Sequence, residues 1–174
     1  MSALQFVTVV LDDRIVTLNA AVGLLRRRNL PIRSVTIGPD TADGRWRLQA
    51  MIEADAAAAQ RAALLFERLI GVERARSTPV GGAVVRELAL IRLRSQDASY
   101  GELLDVLSLY HASVVDEGPD SIVVEVSGPD TFVLSCLRAI ERFGIIDVAR
   151  SGAVAVDRPA EPARPTTSTE APVP

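Results

Sequence analysis

Residues 6–11, FVTVVL, form an apolar run with a single threonine, and they stop at Asp12-Asp13-Arg14, where the chain turns. From Ile15 the period changes. Ile15, Leu18, Val22 and Leu25 are spaced by three, four and three residues, which describes one face of a helix. Arg26, Arg27 and Arg28 crowd its last turn, where cations complement the helix dipole, and Asn29 suits a left-handed cap. Residues 32–37 return as a strand ending at Gly38-Pro39, and a polar turn over 40–44 follows. In residues 45–53, Trp46, Leu48, Ala50 and Ile52 alternate with Arg45, Arg47 and Gln49, the pattern of a half-buried strand. Asp55 is placed to cap an alanine-rich helix running to Leu69. Its core face is Ala58, Ala62, Leu65, Phe66 and Leu69, and Gly71 stops it. Residues 72–78 make a fourth short strand.

Pro79-Val80-Gly81-Gly82 reads as a hinge-like break, and the pattern then begins again. Residues 84–94 are a strand whose inward face the pattern leaves open, because Leu88 and Leu90 compete with Ala89, Ile91 and Leu93. Ser99 and Glu102 have the spacing of a capping box, opening a helix to Tyr110 that carries Leu103, Val106, Leu107 and Tyr110. Residues 113–116 and 121–127 pair around the turn Glu117-Gly118-Pro119-Asp120. A second helix over 130–143 puts Phe132, Cys136, Ile140 and Phe143 on one face and ends at Gly144, and residues 145–156 close the set as one strand. The chain is thus an internal repeat of strand-helix-strand-strand-helix-strand. Right-handed crossovers fold each half into a four-stranded antiparallel sheet with both helices on one face, an α+β fold. The expected division is 1–78, a linker at 79–83, then 84–157. Residues 158–174 are rich in Pro, Ala, Thr and Glu and are expected to be disordered. The strand over 32–37 lies at a sheet edge, a pairing hazard that a second copy resolves, so a homodimer with one continuous sheet is expected.

The 174 residues carry a formal net charge of −3, and no apolar run is long enough to span a membrane. With no signal-peptide pattern either, the expected compartment is the cytoplasm. The acidic balance disfavours nucleic acid as the main partner. One cysteine, Cys136, and one histidine, His111, form neither an internal disulfide nor a zinc site of the usual four ligands. Cys136 sits on an apolar helix face and reads as core, while His111 follows a helix and reads as solvated or structural. Gly81-Gly82 lacks the spacing of a phosphate loop, and Asp12-Asp13 falls short of the oxygen shell a divalent ion needs. No constellation of acid, base and nucleophile appears.

Three runs carry a resemblance to a known family: VVRELALIRL at 84–93, Val114-Val115-Asp116 with IVVEVSG at 122–128, and FGIIDVARSGAVAV at 143–156. In this order and spacing the chain resembles the small regulatory subunits of acetolactate synthase (acetohydroxyacid synthase), whose second domain opens on a similar R-E-L-A-L run. The family's closing strand reads G-I-x-E-V-A-R-[ST]-G. The resemblance implies two tandem ferredoxin-like domains, ACT and ACT-like, and a chain with no catalysis and no cofactor of its own. It implies docking on a large thiamine-diphosphate enzyme that holds thiamine diphosphate, Mg2+ and, as a further candidate, FAD. It also implies activation of that enzyme and, often, reporting of branched-chain amino acid levels to it. Arg86, Glu87 and Arg150, in the most family-like runs, are the candidate partner contacts.

The departures from the family fall in the first half. There the first loop reads like E-N-x-x-G and the second strand is preceded by G-[FY]-N-I. Here Asp13 stands in place of the Asn and Val16 in place of the Gly, while Asn29 and Pro31 replace the later Gly and Asn. A β-branched side chain obstructs a ligand carboxylate approaching bare backbone N–H groups. Asp13 accepts hydrogen bonds but donates none and repels a carboxylate, and Pro31 has no N–H. The resemblance therefore implies a degenerate amino-acid effector site over Asp12, Asp13, Arg14, Ile15, Val16, Pro31 and Ile32, with weak or no valine feedback. Three classes of function follow: an accessory subunit of an acetolactate-synthase-type enzyme, a free-standing small-molecule sensor of changed specificity, and an enzyme in its own right. Co-purification with a thiamine-diphosphate enzyme separates the first from the second, and turnover by the isolated chain would reveal the third.

Overall fold

A computed structural model describes residues 3–40, 44–94 and 100–159. Strand β1 (Ala3–Asp12), helix α1 (Ile15–Arg27), strands β2 (Ile32–Pro39) and β3 (Arg45–Ala54), helix α2 (Ala56–Phe66) and strand β4 (Val72–Pro79) form the first unit. Its antiparallel sheet has the order β2-β3-β1-β4, so β2 is an edge strand as expected. The second unit comprises β5 (Ala83–Arg94), α3 (Tyr100–Leu109), β6 (Ser113–Glu117), β7 (Ser121–Gly128), α4 (Asp130–Ile140), β8 (Ile145–Arg150) and β9 (Val154–Asp157). Its sheet has the order β6-β7-β5-β8, with β9 paired to the first residues of β5. The fold is a tandem of ferredoxin-like βαββαβ units.

Local chemistry accounts for the boundaries. Asp55 caps α2 by accepting from the Ala58 amide at 2.6 Å, satisfying one of the orphan donors of the first turn. Asn29 (φ 47°) closes α1 in the left-handed region, as its side chain allows, and Gly144 (φ 83°) follows the turn of 3-10 helix that extends α4. The expected capping box rests on Ser99, and the turn after Asp40 on residues 41–43, and both lie outside the described residues. So does the tail from residue 160.

Packing corrects four expectations. Helix α1 buries Thr17, Ala21, Leu24 and Leu25, not the stripe through Ile15 and Val22, which stays exposed. Leu25 belongs to both stripes, and the small Thr17 and Ala21 let the helix sit close to the sheet. Helix α2 ends at Phe66 instead of Leu69 and buries Ala59, Ala62, Ala63 and Phe66. In α4 it is Val133, with Cys136 and Ile140, that is buried, and Phe132 packs at the margin against Tyr110. On β5 the inward residues are Ala89, Ile91 and Leu93.

The fourth correction concerns strands 45–53 and 145–156 together. Strand β3 buries Leu48, Ala50 and Ile52 on its helix-facing side, but Gln49 and Met51 are buried on the opposite side as well. What covers them is the end of the chain. The closing strand is two strands, β8 and β9, separated by Ser151–Ala153 with Gly152 at φ 77°. Strand β8 pairs with Ala89–Leu93 and β9 with Ala83–Arg86, so the kink throws β9 and the start of β5 onto the outer face of the first sheet. There Ala83, Ala153 and Ala155 pack with Phe6 and Met51 in a small separate core. The expected break at 79–82 is a packed turn of 3-10 helix, Val80–Gly82, beneath this ribbon.

Candidate functional site

The loop from Asp12 to Val16 is built by the end of β1 meeting Gly71. The Asp12 amide donates to the Gly71 carbonyl at 2.9 Å. The Asp12 carboxylate accepts from the Arg14 amide and pairs with its guanidinium, both at 3.3 Å. Gly71 has φ 88°, and a Cβ there would fall 2.5 Å from the Thr17 Oγ1 and 2.7 Å from the Asp12 Oδ2. Glycine is therefore required twice, by conformation and by space. Asp13 is exposed and, among the described residues, forms no ion pair. Arg14 precedes α1 without a side-chain cap bond, and Ile15 and Val16 stand 75% and 74% exposed over the first turn.

Within one chain the seven candidate effector residues do not meet. Ile32 is level with Ile52, and Ile52 with Gln5, seven residues along β1 from Asp12. At about 3.3 Å per residue, the two groups are separated by roughly 23 Å, at opposite ends of the sheet. Pro31 contributes its carbonyl to the Glu53 amide at 2.9 Å, and Ile32 is exposed at the edge.

The candidate partner contacts behave differently. Glu87, 5% exposed, holds Arg150 through two parallel bonds of 2.7 Å from Nε and Nη2, a bidentate fork. This bond to Glu87 raises the Arg150 pKa above its ordinary value, against the opposing effect of desolvation. One residue along each strand, the Leu88 amide donates to the Ser151 Oγ at 3.0 Å and the Ser151 amide to the Leu88 carbonyl at 2.9 Å. The R-E-L run and the A-R-S-G run, 63 positions apart, therefore form one interlocked structure at the kink. Glu87 and Arg150 serve each other first. Arg86 is exposed, and among the described residues its side chain donates to the Val85 carbonyl at 2.8 Å. An open groove of about 760 Å3 runs beside the fork, with Arg33, Glu53, Asp130 and Leu134 among its walls. Cys136 is fully buried and burial pushes its thiol pKa up, the opposite of an activated nucleophile.

The family model describing the small subunit of acetolactate synthase matches residues 86–159, from the residue before Glu87 of this fork to two residues past β9. A probable acetolactate synthase small subunit of Archaeoglobus fulgidus is 29% identical over 152 residues, spanning 87% of this chain and 95% of its own. The chain is similar to acetolactate synthase small subunits along most of its length, and the family model itself covers its second unit. The acetolactate synthase small subunit of Mycobacterium bovis is 28% identical over 151 residues, covering 87% of this chain and 90% of its own length. The crystal structure of the acetolactate synthase small subunit from Thermotoga maritima shares the fold, with a TM-score of 0.80 at 23% identity over 89% of this chain and 97% of that one. The likeness to these proteins spans both units of the fold. Among the described residues no helix is long and apolar enough to cross a membrane.

The sequence reading missed Gln49, whose polar side chain in an alternating strand signals a solvent face. It also missed that the two family-like runs bind each other. Charge complementarity and Ser151 directly before Gly152 were the available signals.

Proposed function

We propose that this chain is the activating, non-catalytic small subunit of an acetolactate-synthase-type enzyme, working in the cytoplasm on a large subunit that carries thiamine diphosphate, Mg2+ and, in some forms, FAD. The observation that carries this reading is the family match over the second unit, together with likeness to named small subunits across both units. The second unit, residues 84–157, supplies the partner contact, with Arg86 and the exposed part of Arg150 at its surface.

A homodimer forms through β2. Both edge strands of the second sheet carry an aspartate folded back on the next amide: Asp116 onto Glu117 at 3.0 Å and Asp147 onto Val148 at 2.8 Å. Such caps blunt an edge against pairing. Among the described residues β2 has no side chain bonded to its amides, and Ile32, Val35 and Ile37 are exposed along it. An antiparallel copy on β2 would carry Pro31 and Ile32 of one protomer to the end of the partner's sheet that bears its loop. The two separated groups then make a shared site.

That site is degenerate, and the subunit confers weak or no valine feedback. Val16 obstructs the helix start, Asp13 adds a repelling charge, and Pro31 lacks a donor. Each lost hydrogen bond to a charged group is worth about 1.5–3 kcal/mol, so two losses lower affinity by about a hundredfold or more. Calorimetry with valine, leucine and isoleucine, paired with inhibition assays of the reconstituted complex, tests this. Absent or millimolar binding is expected, and micromolar valine binding with matching inhibition would overturn it. Asp13→Asn, Val16→Gly and Pro31→Asn together should restore part of the response.

A further inference from the structure

Gln49 lies on the outer face of the first sheet, 4% exposed, with its amide aimed at a different part of the chain. Its Nε2 donates to the Ala155 carbonyl at 2.7 Å and to the Thr8 Oγ1 at 3.2 Å, and its Oε1 accepts from the Ala155 amide at 3.1 Å. The side-chain amide thus takes both backbone bonds of Ala155 on the side turned away from β5. It acts as one residue of an extra strand. No other side chain among the described residues bonds both the N–H and the C=O of one residue across the two units.

The segment it holds is short and lightly fastened. Strand β9 has four ladder pairs with β5, and it follows a kink at Gly152, whose Cβ position would come within 3.2 Å of Thr36 and 3.4 Å of Ser34. Ala153 and Ala155 turn inward, whereas Val154 and Val156 face solvent. Among the described residues its other polar ties to the first unit are the Ala153 amide to Ser34 at 3.4 Å and Asp157 with Thr78 and Arg76 at 3.1 and 3.0 Å. Of these, only the Gln49 bonds are buried and charge-free. Buried polar groups left unpaired are costly, so this amide pair is held closed or opened as a unit.

We infer that residues 153–157 are a latch fastening the second unit onto the first sheet, and that Gln49 is the positioning residue that holds it shut. With the latch closed, the sheet carrying the dimer edge and the unit carrying the partner contact move together, so the state of one is transmitted to the other. With it open, β9 leaves the sheet while β8 and the helices of the second unit stay folded, because their core is separate. The transmission part rests on the proposed function. The opening itself does not.

Hydrogen exchange on the full-length protein tests the latch, comparing wild type with Gln49→Leu and Gln49→Glu. Leu keeps the bulk and removes all three bonds, while Glu keeps the acceptor and places a carboxylate against the Ala155 carbonyl. Exchange at residues 153–157 should rise by at least about tenfold in both, with β8 and α4 unchanged. In the same samples, activation of the large subunit should fall while the dimer persists. Unchanged exchange at 153–157, or an equal rise throughout the chain, would overturn the latch. Localised opening with full activation would overturn transmission alone, and a wild type that activates nothing would count against the proposed function and leave the exchange result standing.

Discussion

Gly71 and the Glu87–Arg150 fork show how much single residues carry here. Gly71→Ala would force a Cβ against Thr17 and Asp12 at a positive φ, and a loss of about 1–3 kcal/mol is expected from urea unfolding. Arg150→Met would strand the buried Glu87 carboxylate. Because Arg150 keeps 36% of its side chain exposed, the cost is about 2 kcal/mol, below that of a fully buried pair. Adding Glu87→Met should recover part of that loss, and a double variant no more stable than the single would contradict the pairing. Cys136 should resist thiol reagents in the native protein and react on unfolding, since burial raises its pKa and blocks access. At this scale the turn and cap residues were legible: Asp55, Asn29 and Gly71 announce themselves because few residues suit those conformations. The fork was not, because sequence spacing does not say which distant charges meet.

At the scale of elements, periodicity gave the strands and helices but not always their inward faces. In α1 the stripes through Ile15 and Thr17 share Leu25, and hydrophobicity favours the first while close packing on the sheet selects the second. The buried stripe leaves Ile15, Val16 and Val22 exposed on the helix surface. In the proposed β2–β2 dimer, Val35→Glu puts a charge from each copy near the middle of the shared edge. It should shift sedimentation from dimer to monomer with the far-ultraviolet dichroism unchanged, and a variant that remains dimeric would put the interface elsewhere. The closing strand was legible as β-structure, yet its division at Gly152 was not. One glycine in a β-rich run marks a bulge, a bend or nothing at all, and the fold of the first sheet decides between them.

The whole molecule was legible as two repeats of one motif, because βαββαβ order is written in the alternation of periods. How the repeats are joined was not, since the ribbon of β5 and β9 rests on alanines and on Gln49, residues with no strong pattern of their own. The residues proposed for an effector site stand at opposite ends of one sheet, so under the proposed dimer that site would belong to the assembly and not to the chain. On the function proposed above, the chain acts through the large subunit it binds. The most direct measurement is the rate of acetolactate formation by the large subunit of the same organism as this chain is titrated in. The rate should climb and saturate, and saturating valine should leave it nearly unchanged. A rate that stays flat across the titration would contradict the account.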